Sequence, residues 1–131
     1  MIVEPNNGIK YIRENPNEVI ERLAQKGRDA KEEIAKILEL VENAISVLEN
    51  ESDPDDEANI SKIIECYDSL IVLYADKGDS KTGMEQGRMA FEYAEKLSSE
   101  FAKDSAMAVT YNNLAYASQK ILETSSAITF F

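Results

Sequence analysis

Few residues in this chain of 131 have the types and spacing that chemistry requires. Histidine is absent, which excludes a His-ligated metal, a Ser-His-Asp triad and an imidazole general base within the chain. The acidic run 53–57 resembles a metal-binding loop, but an EF-hand loop counted from Asp53 needs Gly sixth and Glu twelfth. Those positions hold Ala58 and Ile64. The run fits a charged turn before a helix, whose N-terminus favours carboxylates, and we expect no metal.

Cys66 is the single cysteine, so the fold does not depend on an internal disulfide. No histidine is present to activate its thiol, and we interpret it as a small core or boundary residue. Adjacent carboxylates such as Glu32 and Glu33 diverge by about 100° on a helix and cannot share a substrate. No Gly-rich phosphate loop occurs either. We therefore predict that the protein is not an enzyme and needs no cofactor.

The balance of charge narrows the choice of partners. With 25 acidic and 14 basic residues the net charge is -11, which argues against nucleic acid or an anionic membrane as partner. The N-terminus lacks the apolar core of a signal peptide. The longest apolar run, residues 70–75, is far short of the roughly 20 residues of a membrane span. We expect a cytoplasmic, soluble domain.

The elements that must position any site are helical, because apolar residues recur with a period near 3.6 and no segment alternates with period two. The pattern predicts about five helices in an all-α fold. The first begins at Pro16 and ends at Gly27; the others cover about 29–50, 57–77 and 81–102, and the last begins near Asp104. We divide the chain into an irregular lead-in (1–15), a helical domain (16–124) and an apolar C-terminal tail (125–131).

Each predicted helix has a set of residues expected to face inward. These sets are Val19, Ile20 and Leu23; Ile34, Ile37, Leu38, Val41, Ile45 and Leu48; Ile60, Ile63, Ile64, Tyr67, Leu70, Ile71 and Tyr74; Met84, Phe91, Ala94, Leu97 and Phe101; and Ala108, Tyr111, Leu114, Ala115, Ala117, Ile121 and Leu122.

Two helices share a local pattern, which indicates an internal repeat. Residues 67–71 (YDSLI) and 111–115 (YNNLA) have the same arrangement 44 residues apart. The pattern resembles the tetratricopeptide repeat, most clearly over residues 57–122. The residues that carry this resemblance are Tyr67, Leu70, Tyr74, Gly78 and Ala90, with Gly83 and Gly87 as small residues that let helices approach closely. The chain departs from the family at Ile71, where a small residue is usual, and in its unequal repeat spacing.

The resemblance implies antiparallel helical hairpins stacked as a short right-handed superhelix. A closed five-helix bundle is the alternative. In the family the first helix of each hairpin lines a concave groove that binds a peptide or a helix. The corresponding groove residues here are Glu65, Asp68, Ser69, Val72 and Asp76 in one hairpin and Val109, Asn112, Asn113, Tyr116 and Gln119 in the next, with Asn17, Glu18 and Glu21 in a weaker first unit.

These residues predict the kind of ligand. Asn113 matches a site where family members use an amide to bond a peptide backbone, although Asn112 and Asn113 also fit ordinary solvated helix positions. Asp68 and Val72 stand where chaperone-tail binders have basic residues, so the groove would repel an acidic tail. The sequence therefore favours a non-enzymatic protein-protein interaction module whose acidic groove binds a peptide or helix with Lys or Arg beside apolar anchors.

The tail supports a different hypothesis. Ile128, Phe130 and Phe131 follow a helix that has no partner in the repeat pattern. The chain could be a piece of a longer protein, or the tail could cap its own stack or dock on a second copy. We favour a buried tail, within or between chains. The alternative function is thus a structural helical bundle that forms a homodimer through this tail.

Overall fold

The computed structural model describes residues 16–51, 53 and 55–130, and the lead-in predicted over 1–15 lies outside this part. The described chain is all-helical, without strands. Four helices follow one another: α1 (Pro16–Glu51), α2 (Glu57–Lys77), α3 (Ser80–Ala94) and α4 (Glu100–Phe130). The number is below the expected five because the first two predicted helices are one.

Helix α1 passes through Gly27, where we expected a helix to end. Gly78, and not Gly27, has a positive φ among the described residues, so Gly27 keeps ordinary helical geometry. A glycine inside a helix costs about 1 kcal/mol relative to alanine, which is too little to stop a 36-residue amphipathic helix.

The chain divides into two compact units, Met1–Glu33 and Ile34–Phe131. The described residues of the first unit form the first half of α1. Ile20 and Leu23 were expected to face inward, but they are 63% and 64% exposed. Arg22 forms an ion pair with Glu18 at 2.7 Å.

Helix α2 is the centre of the second unit. All seven of its predicted inward residues are buried or half-buried, as the apolar stripe predicted. Six of them pack in one core with Leu38 and Ile45 of α1 and with Ala90, Ala94 and Leu97, whereas Ile71 packs in a second core with Ala75 and Ala117. Cys66 packs at the edge of that core, as expected for a boundary residue.

Short turns and caps place α2 and α3 as a hairpin. Asp56 accepts a hydrogen bond from the amide of Ala58 and caps α2, which confirms the charged-turn interpretation of the acidic run. Gly78 ends α2 in the left-handed conformation, with φ 98°, and Asp79 caps α3 through the amide of Thr82. The two helices then approach closely at Gly83, where an added Cβ would lie 2.7 Å from the carbonyl oxygen of Ile71.

The next boundary differs from the prediction. Helix α3 ends at Ala94 and α4 begins at Glu100, whereas we expected a break between 102 and 104. Ser99 accepts a hydrogen bond from the amide of Ala102, so a serine cap starts α4 earlier. Phe101 was therefore placed wrongly in the preceding helix and in the core; it is 83% exposed.

Helix α4 packs by a face that the sequence pattern predicted only in part. Tyr111, Ile121 and Leu122 were expected inward and are 63%, 41% and 67% exposed, and Ala108 and Ala115 are exposed as well. Leu114 and Ala117 of the predicted set are half-buried and buried, and the rest of the inward face consists of small and polar residues, namely Ala102, Ala106, Thr110 and Asn113. The backbone of α4 continues to Phe130, and the side chains of the predicted tail lie outside the described part.

Candidate functional site

Two adjoining cavities lie along α2, and Asp68 lines both. We call them together the α2 crevice. One cavity, of about 330 Å³, lies between α2 and the start of α4, and the other, of about 460 Å³, is lined by α1, α2 and α4. The crevice residues are Ser61, Ile64, Glu65, Asp68, Leu97, Ala102, Ser105, Ala106 and Val109 in the first cavity and Ile37, Val41, Asp68, Ser69, Val72, Leu73 and Asn113 in the second.

Six of the ten predicted groove residues line this crevice. They are Glu65, Asp68, Ser69, Val72, Val109 and Asn113. Helical spacing explains why they meet: residues 65, 68, 69 and 72 follow one face of α2, and residues 109 and 113 are one turn apart on α4. The repeat pattern thus placed residues of two separate helices at one surface.

The other four predicted residues lie elsewhere. Tyr116 donates a short hydrogen bond to Asp76, which joins α4 to α2 beyond the crevice. That bond and the loss of solvent around the phenol raise the pKa of Tyr116. Asn112 and Gln119 are exposed and line neither cavity. In the first unit, Asn17 is exposed, and Glu18 and Glu21 border a shallow surface depression with Arg22.

Asp68 is the most buried acidic residue of the crevice, at 7% exposure. It accepts a 2.7 Å hydrogen bond from the hydroxyl of Thr110, which is completely buried on α4. Burial raises the pKa of Asp68, and hydrogen bonds from Thr110 and Asn113 oppose that change. We expected Asp68 to face a ligand in the groove. In the structure its carboxylate instead accepts a hydrogen bond from Thr110 and so joins α2 to α4.

Thr110 is the residue that the sequence analysis missed. Neither the apolar stripe nor the repeated pattern includes it, because a threonine beside Tyr111 gives no helical signal of burial. Ile37 and Val41 were also absent from the predicted site, since we assigned them wholly to the core. Both line the larger cavity, and Ile37 remains 45% exposed. One apolar stripe on α1 therefore serves both the core and the crevice wall.

Tyrosine-carboxylate pairs fix the α1 side of the crevice. Tyr67 donates to Glu49 at 2.9 Å and Tyr74 donates to Glu42 at 2.5 Å, so two hydrogen bonds join α2 to α1. The bond to Glu42, followed by burial, raises the pKa of Tyr74 to about 12. For Tyr67, burial first and then Glu49 raise the pKa above its ordinary value. Both phenols are therefore neutral donors at physiological pH.

The chemistry of the crevice suits binding. Its walls are largely aliphatic, and its polar groups are the carboxylates of Glu65 and Asp68, one amide and several hydroxyls, which can pair with a peptide backbone or a basic side chain.

Two further kinds of chemistry are metal binding and nucleophilic attack by a thiol. Among the described residues, no group of three or more His, Cys, Asp or Glu side chains could hold a metal ion. Burial raises the pKa of the Cys66 thiol, which makes the thiolate scarcer at neutral pH.

Comparison with known proteins finds no matching family model, no similar curated protein and no similar solved structure. None of the helices formed by the described residues is long and apolar enough to cross a membrane.

Proposed function

We propose that this chain is a tetratricopeptide-like interaction module whose α2 crevice binds a peptide or helix of a partner protein, without catalysis. The observation that carries the proposal is the meeting of six predicted groove residues from α2 and α4 at one crevice. In the resemblance these two helices are the first helices of successive hairpins, and such helices line the groove of that family.

Close packing between the helices supports the resemblance. Ile71 stands where the family has a small residue, but Gly83 opposite it has no side chain, and the carbonyl of Ile71 would be 2.7 Å from an added Cβ. At Gly87, an added Cβ would lie 2.7 Å from a methyl group of Leu114 on α4. Gly83 thus lets α3 approach α2, and Gly87 lets it approach α4, as a stack of hairpins requires.

Charge and shape define the ligand. Residues 34–131 contain 18 acidic and 8 basic side chains, a net charge of -10. Glu65 is exposed at the crevice, and Val109 offers an apolar wall that is 53% exposed. A segment with aliphatic anchors and neighbouring Lys or Arg matches these features, since opposite charges steer association and fix orientation. A carboxylate-rich segment would be repelled.

A direct test uses a fluorescent helical peptide with Leu at every third or fourth position and Lys between, compared with the same peptide carrying Glu. We expect fluorescence polarisation to show binding of the Lys peptide alone, weakened by salt. Val109→Lys should weaken it at least about tenfold, because it places a cation and a longer side chain in the crevice.

Val47→Lys is the matched control for this experiment. Val47 is also on a helix and is 51% exposed, against 53% for Val109, but it lines neither cavity. The control should bind like the unaltered protein. Equal binding by the unaltered protein and Val109→Lys, or equal binding of the Lys and Glu peptides, would contradict the proposal.

A further inference from the structure

The first half of α1 carries an apolar stripe on its surface. Ile20 and Leu23 are 63% and 64% exposed, and Gly27 and Ala30 continue the same face at spacings of four and three. Lys26 and Arg28 flank Gly27, about 100° to either side of it on the helix. Residues 16–33 contain five acidic and four basic side chains, and the charged residues on either side of Gly27 are both basic.

The two units differ in charge as well. Residues 1–33 contain 7 acidic and 6 basic side chains, a net charge of -1, whereas residues 34–131 have a net charge of -10. Six of the 14 basic residues of the chain therefore lie in its first quarter. Two copies can bring the nearly neutral, basic-flanked stripe of one to the acidic unit of the other without the repulsion that two acidic units would suffer.

We propose that the α2 crevice of one copy binds residues 16–33 of a second copy, with Ile20 and Leu23 seated against the aliphatic walls. This inference rests on the proposed function, because it names an occupant of the same crevice. Lys26 and Arg28 then lie beside the acidic surface that includes Glu65. Each copy offers one stripe and one crevice, so the contact is heterologous and joins copies head to tail.

Sedimentation equilibrium of the full chain tests the association, at several concentrations and in low and high salt. We expect oligomers that dissociate on dilution and in high salt. Leu23→Ser should weaken association at least about tenfold, because it removes a central anchor. Leu40→Ser is the control: Leu40 lies on the same helix and is 69% exposed, but it lines neither cavity.

Mixing two defective variants tests the geometry of the contact. Leu23→Ser keeps an intact crevice, and Val109→Lys keeps an intact stripe. Each should be monomeric alone, and a mixture should form a one-to-one complex through the remaining stripe and crevice. If α1 paired with α1, the mixture would associate more weakly than Val109→Lys does alone. If the copies associated through their C-terminal residues, neither variant would change the association. Either result overturns the inference.

The failure of this inference is distinguishable from the failure of the proposed function. A chain that stays monomeric at about 1 mM, where even weak complexes form, overturns self-association. The Lys peptide would still bind the crevice if the proposed function holds. Conversely, if the peptide does not bind and Val109→Lys leaves the oligomers unchanged, the crevice is not a binding site and both proposals fail.

Discussion

Helix α2 contacts its neighbours in two different ways. Toward α3 the contact is close, with Gly83 against the backbone of Ile71, whose side chain is completely buried. Toward α1 and α4 the contact combines apolar packing with hydroxyl-carboxylate hydrogen bonds, and the crevice lies between these helices. Close packing leaves no room for a ligand, whereas hydrogen-bonded helix pairs with a cleft leave both room and polar groups. The second side of α2 is therefore the one suited to binding.

The largest effect is expected at the buried pair between α2 and α4. Thr110→Val keeps the shape of the side chain but leaves the carboxylate of Asp68 without its 2.7 Å donor. We expect a loss of about 1–3 kcal/mol in the free energy of unfolding, measured by urea denaturation. In an Asp68→Asn background the same change should cost clearly less, because no buried charge remains to be satisfied. Equal losses in both backgrounds would show that the pair does not hold these helices together.

The close contact between α2 and α3 gives the next effect. Gly83→Ala places a methyl group 2.7 Å from a backbone oxygen, whereas Gly87→Ala places it at a terminal methyl of Leu114, which can rotate away. Gly83→Ala should lose on the order of 1 kcal/mol after its gain in helix propensity, and Gly87→Ala should lose less or nothing. Urea denaturation of the two variants checks the order, and the reverse order would mean that α2 and α3 pack less closely than described.

Substitution of alanine should change the free energy of unfolding in opposite directions at Gly27 and at Gly78. Gly78 has a φ of 98°, so alanine there should cost about 1 kcal/mol in unfolding free energy. At Gly27 an added Cβ meets nothing within 4 Å, and alanine should stabilise α1 by up to about 1 kcal/mol. Hydrogen exchange of the α1 amides measures the second effect. Faster exchange of these amides in Gly27→Ala would contradict a continuous α1 and would support the helix end that the sequence predicted at Gly27.

The smallest expected effect is a change in pH dependence. Burial raises the pKa of Asp68, so the folded state binds this proton more tightly than the unfolded state does. Between the ordinary aspartate pKa near 4 and the raised value, stability from this group should increase as pH falls. Asp68→Asn should therefore be more stable relative to the unaltered protein at pH 7 than at pH 4, by urea denaturation at both values. No change in the difference would contradict the burial of a charged Asp68.

The sequence predicted α2 well because its core residues are large and aliphatic, and because Gly78 and Asp79 form an unambiguous cap. It failed where small or polar residues carry the packing. On α4, Leu114 and Ala117 were predicted correctly, but Thr110 is polar and Ala106 is small, so neither was recognised, and Tyr111 was placed inward although it is exposed. Gly27 was given too much weight, since a single glycine does not outweigh the apolar repeat on either side of it.

The site was partly predictable for the same reason. The repeat between residues 67–71 and 111–115 located one face on each of two helices, and six groove residues followed from it. The contributions of Ile37 and Val41 required a third helix, whose position next to α2 the repeat did not encode. The hydrogen bonds of Asp68 and Asp76 depend on distances between helices, which spacing within one helix does not determine.

The most direct test of the central claim is to map the bound Lys peptide on the full chain by amide chemical shifts in NMR. We predict that adding the peptide changes the amide chemical shifts most at Ser69, Val72, Val109 and Asn113, which line the α2 crevice from two helices. Shifts confined to α3, or saturating binding without any shift at these four residues, would contradict the account.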